Sequence, residues 1–363
     1  MRILFLAKYD YSGASSRYRI HQYLPEYERM GIVCKCLPMY ANAYIRNFEK
    51  GNRVMTFFYR VLAVVRRLGQ LYCVPFYDLI YIEKEVIPYF PPIIEFIFHV
   101  CGVRYVLDYD DAVWHNYDKS NHIIIRKLLS GKIPILAKWA KAIITGSPYL
   151  TEVLAKYNCN VTEIPTSIQY AKYDRPMALS KNRFIIGWIG GSASSVHLAS
   201  LFPALKAYFA RHPQDEIHMI GFDKKLFQQY DLPRNFVYIQ WTDETEVEEL
   251  GKLTVGIMPM TATKIANGKC GFKLVQYMAC GKPTVSTPFE ANVKIDGGNG
   301  NLFATTVDEW IDALEAIREN RTYYQKIGLC NKQSILKHYS IESNSILYKA
   351  IFDNVLYNIK TPK

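Results

Sequence analysis

Glycines and lysines are spaced along one stretch of the chain in a way that can bind an anion. The stretch runs from Asn267 to Asn292 and reads NGKCGFKLVQYMACGKPTVSTPFEAN. Gly268 and Gly271 leave backbone N–H groups uncovered, and Lys269 and Lys273 add two positive charges. A glycine loop that opens a helix favours phosphate, because unpaired N–H groups and the helix dipole both attract negative charge. An ordinary βαβ turn with solvated lysines has the same residue types, and on glycine and lysine alone that interpretation is the stronger of the two.

The elements around this loop are predicted from the neighbouring residues. Thr254 to Met258 is an apolar run that predicts the strand leading into the loop. Phe272 to Cys280 predicts a short helix, which Gly281 ends in a left-handed conformation and Pro283 prevents from continuing. Thr284 to Ser286 then predicts a short buried strand.

The same stretch resembles the nucleotide-sugar motif of retaining GT-B glycosyltransferases of family 4, in the subgroup that writes it K-C-G-F-K-L-x-Q-Y-M-A. Many members have a glutamate where this chain has Gln276, and an acidic residue where it has Gly268 to Cys270. The resemblance implies an α/β fold of the GT-B type, with two Rossmann-like doubly wound domains facing a central cleft. It also implies glycosyl transfer with retention, Gln276 near the donor ribose and Lys273 near the departing diphosphate.

The N-terminal residues predict the start of a doubly wound domain. A buried strand is followed by the loop Lys8 to Ser16, which contains Gly13. Ligands of such folds bind at the carboxyl ends of the strands, so we expect Gly13 to face the cleft and the donor. Arg17 and Arg19 follow the loop. They would either bind a phosphate of donor or acceptor, or be solvated helix residues.

Carboxylates follow another predicted strand, Arg104 to Asp108. The sequence D-Y-D there matches the aspartate pair that binds manganese in GT-A glycosyltransferases. GT-A enzymes lack the second nucleotide half predicted here, so we interpret Asp110 and Asp111 as metal-free carboxylates that bind sugar hydroxyls or orient the acceptor. His115 is a candidate base or hydrogen-bonding group, although a lone histidine is more often structural. The predicted catalytic residues are Asp110, Asp111, His115 and Lys273.

The second half repeats the strand–loop–helix pattern. The strand Arg183 to Ile189 leads into a glycine loop, whose Gly191 and Ser192 N–H groups can hold a diphosphate. Relatives carry an arginine and a lysine after this loop, but the corresponding helix has no such cation here. We therefore expect Lys269 or Lys273 to bind the diphosphate. The predicted donor-binding residues are Gly13, Gly190, Gly191, Ser192, Lys269, Gly271, Phe272 and Gln276.

Charge and composition limit the partners. The 363-residue chain has a net charge of +11, which indicates nucleic acid, a phosphorylated substrate or an acidic membrane surface as partner. The basic residues are scattered and no RNA- or DNA-binding module is recognisable, which argues against nucleic acid. The eight cysteines lack zinc-like spacing and predict reduced thiols. We expect no metal and no cofactor, since the nucleotide sugar is a substrate.

Met39 to Leu71 predicts a helix with a long apolar stripe. Arg53, Arg60 and Arg67 recur every seven residues along another face. One interpretation is a core-facing helix with a basic exterior. The other is an interfacial helix, in which residues 46–68 bind an anionic membrane surface. No segment reaches the roughly 20 apolar residues that a membrane-spanning helix needs. The stripe consists of Val54, Phe57, Phe58, Val61, Val65 and Leu68.

These observations predict three segments and one function. Residues 1–168 form an acceptor domain, 169–340 a nucleotide-sugar domain, and 341–363 a helix that packs back on the first domain, with Thr166 to Asn182 as linker. The predicted protein is a cytoplasmic glycosyltransferase, peripheral on the inner face of the membrane. It would move sugar from a UDP- or GDP-sugar to a glycan or lipid-linked glycan in surface polysaccharide synthesis. The alternatives are a GT-B nucleotide-sugar epimerase and a basic nucleic-acid-binding protein.

Overall fold

The chain forms two units, each built on one six-stranded sheet. The computed structural model describes residues 1–49, 51–174, 183–261, 263 and 266–358. Residues 175–182 of the predicted linker lie outside this described part. Unit 1 contains the described residues of Met1–Ser167, Gly268–Cys270 and Ile341–Lys363. Unit 2 contains those of Ile168–Asn267 and Gly271–Ser340.

Unit 1 has a parallel sheet in the order β2-β1-β3-β4-β5-β6. Its central strands are mostly apolar and buried on both faces, which is typical of parallel sheets with helices on each side. Alternate residues of β1 enter different cores: Ile3 and Phe5 face one layer, Leu4 and Leu6 the other. The strands are β1 Arg2–Leu6, β2 Val33–Cys36, β3 Leu79–Glu83, β4 Tyr105–Tyr109, β5 Ala142–Thr145 and β6 Val161–Glu163.

Unit 2 has a second parallel sheet, in the order β12-β11-β10-β7-β8-β9. From β7 the chain continues to β8 and β9 on one side, and β10 then pairs with β7 on its other side. The loops after β7 and β10 therefore lie side by side at the carboxyl edge. In open α/β sheets such a switch point is where ligands bind. The strands are β7 Ile185–Ile189, β8 Glu216–Ile220, β9 Phe236–Ile239, β10 Val255–Met258, β11 Thr284–Ser286 and β12 Leu302–Phe303.

The helices connect successive strands and cover both sheets. A π-helical turn spans Arg17–His21, and 3-10 turns span Leu71–Phe76 and Ala266–Gly268. The α-helices are α1 Ala14–Ser16, α2 Leu24–Arg29, α3 Asn42–Glu49, α4 Arg53–Gln70, α5 Ile93–Val100, α6 His115–Asp118, α7 Ile123–Leu129, α8 Lys132–Trp139, α9 Pro148–Ala155, α10 Tyr170–Tyr173, α11 Ser192–Ala199, α12 Phe202–Arg211, α13 Lys224–Gln229, α14 Glu246–Lys252, α15 Phe272–Ala279, α16 Glu290–Asp296, α17 Val307–Glu319, α18 Arg321–His338 and α19 Ile341–Tyr357.

The last helix, α19, belongs to unit 1 although it follows unit 2 in the sequence. Its Phe352 ring packs against Tyr27 and Phe5, with centroids 5.7 and 6.5 Å apart. Tyr348 packs against Tyr81 at 6.3 Å. These side chains fill the core between the sheet and α2, so α19 completes one layer of unit 1.

The predicted helix over Met39 to Leu71 is two helices, α3 and α4. Asn52 starts α4, because its side-chain oxygen accepts a hydrogen bond from the Met55 N–H at 3.1 Å. The side of α4 that faces the core carries Thr56, Ala63 and Arg67.

The apolar stripe of α4 lies on the opposite side and is exposed. Val54 is 78% exposed and Phe57 68%, and every other member of the stripe is at least half exposed. The core-facing interpretation of the stripe is therefore wrong. Arg67, expected on the basic exterior, is buried and donates to the Ala7 carbonyl and to the Leu37 carbonyl at 3.1 Å. It belongs to the core-facing side, while Arg53 and Arg60 are exposed.

Candidate active site

Charged side chains gather at the carboxyl edge of the unit 1 sheet, where β1, β3 and β4 end side by side. Glu83 closes β3 and accepts three hydrogen bonds from the segment after β1. The donors are the Lys8 N–H at 2.7 Å, the Ser15 hydroxyl at 2.8 Å and the Ser16 hydroxyl at 2.5 Å. Glu83 is buried, so these bonds are shielded from water and fix the loop after β1.

Asp110 lies next to this cluster and is held by two partners. Its carboxylate lies 2.5 Å from the Ser15 hydroxyl, whose single proton is shared between Asp110 and Glu83, and it pairs with the Lys84 amine at 2.8 Å. Burial is the largest single influence and would raise the pKa of Asp110, but the charge of Lys84 and the hydrogen bonds from Lys84 and Ser15 together outweigh burial and hold that pKa well below its ordinary value. Asp110 is therefore an anion throughout the neutral range, and Ser15 links it to Glu83.

Asp108 and Arg19 form a separate buried pair. The Arg19 guanidinium donates to both Asp108 oxygens, at 2.9 and 2.6 Å, and to the Ile164 carbonyl at 2.7 Å. Both side chains are 1% exposed. Asp108 and Asp110 thus bind different cations and do not share one site.

The solvated-helix interpretation of Arg17 and Arg19 is wrong, because both are buried in the turn after the first loop. The Arg19 guanidinium is occupied by Asp108 and by the Ile164 carbonyl. Arg17 lies over two aromatic rings, those of Tyr11 at 5.8 Å and Tyr18 at 4.8 Å. The sequence showed arginines near a loop, but only the fold shows which of them has a carboxylate of its own.

Gly268–Cys270, from the motif stretch, packs within unit 1. The Lys269 amine pairs with Asp111 at 2.8 Å, and the Cys270 thiol donates to the Asp110 carbonyl at 2.9 Å. Glycine is required at Gly268, since a Cβ there would lie 2.6 Å from the Ala112 Cβ. The structure therefore brings predicted donor residue Lys269 to predicted catalytic residue Asp111.

His115 and Gly13 are also placed at this edge of unit 1. His115 begins α6 and its Nδ1 lies 3.0 Å from Asp118. Its buried Nε2 has no hydrogen-bond partner among the described residues. Gly13 packs so closely on Tyr9 that a Cβ would lie 2.3 Å from the Tyr9 Cβ. Gly13 thus allows close packing of the loop that carries Ser15.

The remaining predicted residues lie in unit 2. The glycine loop follows β7, where the Gly190 N–H donates to the Ile220 carbonyl at 3.0 Å and Gly191 precedes α11. The Cβ position of Gly191 faces open space, whereas a Cβ at Gly190 would lie 2.5 Å from the Ser194 hydroxyl. Ser192 is the first residue of α11 and is exposed. The open side of Gly191 leaves room for a ligand beside the backbone.

Lys273 lies close to this loop. It sits in the first turn of α15, and its amine is 4.5 Å from the centroid of the Trp188 ring, two residues before Gly190. Gly271 precedes the helix with a φ of 65°, a left-handed conformation that favours glycine. Phe272 is the first residue of α15 and half-buried, and Gln276 is 5% exposed one turn further on. We refer to the glycine loop at Gly190 and Gly191, the Lys273 amine and the start of α15 as the unit 2 set.

Several residues of these sets were not predicted. Glu83 and Lys84 stand in the sequence E-K-E directly after an apolar strand, and this run of charges was the available signal. Ser15 was one of three serines in a loop, with nothing to distinguish it. Trp188 stands within the apolar strand β7, where nothing in the sequence distinguishes it from a core residue. Among the described residues, no group of three His, Cys, Asp or Glu side chains is arranged to hold a metal ion.

A model of the family glycosyl transferases group 1 matches residues 183–320. No curated protein matches the sequence. Sucrose-phosphate synthase from Thermosynechococcus elongatus is similar in structure, with TM-score 0.68 and 11% identity, over 99% of this chain and 100% of that chain. HepE from Anabaena, in complex with UDP-glucose, has TM-score 0.68 and 14% identity over 98% and 100%. A glycosyltransferase from Rickettsia africae has TM-score 0.65 and 12% identity over 99% of both chains.

These similarities confirm the predicted α/β architecture with two Rossmann-like domains. At 11–14% identity they establish the fold and not the reaction. The described residues of this chain have the GT-B fold, and residues 183–320 match the glycosyl transferases group 1 family.

Proposed function

We propose that the protein transfers a glycosyl group from a nucleotide sugar to a glycan acceptor, with retention of anomeric configuration. The observation that carries this is the unit 2 set. The Lys273 amine, in the first turn of α15, lies over the Trp188 ring, and the same ring is 2.7 Å from the Cβ position of Gly190, the neighbour of the open Gly191. Backbone N–H groups and one cation suit a diphosphate. Residues 183–320, which match the glycosyl transferases group 1 family, contain this whole set.

In this proposal the two units have different tasks. Unit 2 binds the donor, with its diphosphate at Gly191 and Lys273 and its ribose at Gln276. An amide can both donate to and accept from the ribose hydroxyls, without the strength of a charged group. The structure of HepE contains UDP-glucose, and this favours a UDP-sugar over a GDP-sugar as the donor of this protein. Asp110, an anion held by Lys84 and Ser15, would bind hydroxyls of the acceptor in unit 1.

Nucleotide binding tests the donor site. We expect UDP and UDP-glucose to raise the thermal unfolding temperature, because a ligand at 100 times its Kd stabilises the folded state by about 2.7 kcal/mol. Lys273→Ala and Gln276→Ala should weaken this stabilisation. Lys326→Ala, which removes an exposed lysine from α18, should leave it unchanged. No shift with UDP or GDP species, or a shift with oligonucleotides instead, would contradict the proposal.

The stereochemistry of the product tests the reaction. Retention without a protein nucleophile requires front-face attack, in which the leaving diphosphate helps to deprotonate the acceptor. Lys273 then stabilises charge that grows as the bond breaks, so Lys273→Ala should lower kcat more than it raises KM. NMR of the product should show the anomeric configuration of the donor. An inverted product would overturn the mechanism, and an epimerised sugar without transfer would favour the epimerase alternative.

We also propose that unit 1 docks on the cytoplasmic face of a membrane, where it extends a lipid-linked glycan for surface polysaccharide. Ala63 of α4, Phe98 of α5 and Leu129 of α7 pack into one core on one face of the sheet. The exposed sides of these helices therefore all belong to the same outer layer. The exposed apolar residues of this layer are Val54, Phe57, Phe58, Val61, Val65 and Leu68 on α4, Ile93, Phe96, Ile97 and Val100 on α5, and Ile123, Ile124 and Leu128 on α7.

The charge of this outer layer complements an anionic surface. In the described ranges of α4, α5, α7 and α8 the only acidic residue is Glu95, which is buried. Each basic residue near an anionic bilayer contributes roughly 1 kcal/mol, and apolar burial adds to it. None of the helices in the described residues is long and apolar enough to cross a bilayer. The exposed basic residues are Arg53, Arg60, Arg66, Arg126, Lys127 and Lys138.

A further inference from the structure

Helix α9 begins at the carboxyl edge of the unit 1 sheet with an unpaired, buried hydroxyl. The helix has eight residues, Pro148–Ala155, and Ser147 is its N-cap residue. An N-cap serine normally accepts a hydrogen bond from an N–H of the first turn, but the Ser147 hydroxyl accepts none. The residue is 1% exposed, and its hydroxyl has no hydrogen-bond partner among the described residues. Because a serine side chain has a single CH₂ group, this hydroxyl stays at the start of the helix.

Backbone N–H groups around Ser147 are unpaired as well. Pro148 has no N–H. The N–H groups of Ser147, Tyr149 and Leu150 have no acceptor among the described residues, and the next one, that of Thr151, donates to the Ser147 carbonyl at 3.1 Å. Pro148 and Tyr149 are half-buried, so this first turn is partly open to solvent. Unpaired N–H groups at a helix start attract anions, and the helix dipole adds to the attraction.

The start of α9 lies beside the segment that carries Asp110. The strands β4 and β5 are neighbours in the sheet, and Asp110 follows β4 while Gly146 follows β5. The Gly146 N–H donates to the Tyr109 carbonyl at 2.8 Å. A Cβ at Gly146 would lie 3.4 Å from the Asp110 Cα and 2.5 Å from the Cys270 sulfur. Ser147 is the next residue, so its unpaired groups are adjacent to the Asp110 segment.

The carboxylates of this segment each have a cation of their own. Asp110 pairs with the Lys84 amine and Asp111 with the Lys269 amine, both at 2.8 Å. An anion at the start of α9 would therefore meet no uncompensated negative charge from these two residues. A phosphate suits the arrangement, because its oxygens accept several hydrogen bonds at once, and bonds to a charged acceptor are stronger than bonds between neutral groups.

We propose that the start of α9 binds a phosphate group of the acceptor. The Ser147 hydroxyl and the N–H groups of Ser147, Tyr149 and Leu150 donate to the phosphate oxygens. A sugar attached to this phosphate lies next to Asp110, which binds its hydroxyls. The inference rests on the proposed function, which it deepens by giving the acceptor a phosphate. A free sugar phosphate and a lipid-linked sugar phosphate share this chemistry.

Binding of phosphorylated probes to the full chain tests the site. The probes are inorganic phosphate, glucose 1-phosphate and farnesyl diphosphate. Each is followed by the line width of its phosphorus NMR signal, with UDP present to occupy the donor site. We expect glucose 1-phosphate, farnesyl diphosphate or both to bind. Ser147→Ala should weaken this binding about tenfold, because one hydrogen bond to a charged group is lost.

Ser147→Asp gives the sharper result. An N-cap aspartate accepts hydrogen bonds from the first turn, so it fills the site with its own carboxylate and should abolish probe binding. Its thermal unfolding temperature shows whether the variant is folded, and Ser147→Ala keeps the test decisive if it is not. Thr306→Ala is the control at another N-cap, that of α17 in unit 2. The Thr306 hydroxyl already accepts from the Glu309 N–H at 3.3 Å, so this variant should bind the probes as the natural protein does.

The probes also distinguish the two sources of phosphate. Binding of glucose 1-phosphate alone identifies a free sugar phosphate, binding of farnesyl diphosphate alone a lipid-linked one, and binding of both supports the shared chemistry. The inference is overturned if neither binds, if only inorganic phosphate binds, or if the folded Ser147 variants bind as tightly as the natural protein.

The donor proposal is tested separately by the same variants. UDP should raise the unfolding temperature of the natural protein and of each Ser147 variant equally. If UDP has no such effect while probe binding still depends on Ser147, the result counts against the donor site alone.

Discussion

Lys282 is a lysine buried in unit 2, directly after the glycine that ends α15. Its amine donates to the Gly251 carbonyl at 2.6 Å, and the residue is 1% exposed. Burial lowers the pKa of Lys282 from 10.5 to about 8. Below pH 8 the folded state must keep a charged amine in its interior, whereas the unfolded chain solvates that charge. Stability is therefore reduced at neutral pH and recovers as the pH rises from 8 towards 10.5.

Replacing Lys282 by methionine should remove this pH dependence. We expect Lys282→Met to be more stable than the natural protein at pH 7 by roughly 2 kcal/mol, after about 1 kcal/mol is lost at the Gly251 carbonyl. The difference should shrink as the pH rises above 8. Urea unfolding at pH 7, 8.5 and 10 measures it, with Lys326→Met as the control at an exposed site. A difference that is equal at all three pH values would show that Lys282 is not buried as an ammonium.

Individual site residues were predicted unevenly, for a physical reason. Asp110 and Lys273 stand at strand and helix ends, which a sequence pattern can locate. The pairing of Arg19 with Asp108 joins residues 89 positions apart, and no local pattern specifies it. Ser15 and Glu83 acquire their roles only when parallel strands bring their ends together. The sequence therefore indicates which groups are present at an edge, while the fold decides which partner neutralises each.

Helix α4 shows how one element can be patterned for two environments. Its core-facing side contains a threonine, an alanine and a buried arginine, and the large apolar residues lie on the other side. Arg53 and Arg60 border that apolar side along one margin and Arg66 along the other, on a helix of 3.6 residues per turn. A surface helix of a globular protein normally has its large apolar residues on the core-facing side and its polar residues on the solvent side. This inverted pattern is what membrane docking requires of an interfacial helix.

Vesicle co-sedimentation should show that α4 is the docking element. We expect binding to phosphatidylglycerol vesicles and little binding to neutral ones. Arg53→Glu with Arg66→Glu should weaken the anionic binding at least tenfold, since at low salt roughly 1 kcal/mol is lost for each arginine and repulsion is added. Phe57→Gln with Val61→Gln should weaken it as well, by removing apolar burial.

The control for this experiment places the same charge change elsewhere. Lys224→Glu with Lys225→Glu alters two exposed lysines of α13, in unit 2, by the same total charge. This pair should keep vesicle binding close to that of the natural protein. Equal recovery of the natural protein in the supernatant with both vesicle types, or equal loss in the α13 variant, would rule out docking through α4.

Strands could be predicted from the sequence more completely than helices. The predicted strands at the positions of β1, β4, β7, β10 and β11 are confirmed by the structure. The two-residue strand β12 is too short to give an apolar pattern in the sequence. The structure confirms helix over most of Met39 to Leu71. Hydrophobic periodicity shows which side of a helix is apolar, but it does not show whether that side faces the core or the solvent. That is why its stripe was open to two interpretations.

At the scale of the whole chain, the repeated strand–glycine loop–helix pattern predicted two Rossmann-like domains, and the two parallel sheets confirm them. The placement of Gly268–Cys270 in unit 1 could not be predicted. These three residues lie inside a segment that otherwise belongs to unit 2, and their contacts depend on the shape of distant loops. The close fit at Gly268 and at Gly146, where a Cβ would lie 2.5 Å from the Cys270 sulfur, exists only in the folded unit.

The position of α19 has a consequence for the order in which the protein acquires its structure during translation. The ribosome completes every strand of the first sheet early, but the rings of Tyr348 and Phe352 that cover one of its faces are added after the second sheet. Until then Phe5, Tyr27 and Tyr81 lack their apolar cover on the nascent chain. The second sheet, whose strands are contiguous in the sequence, can pack its core as soon as it leaves the exit tunnel. The N-terminal half would therefore stay half-covered until α19 has been synthesised, and chaperones would bind its exposed apolar residues.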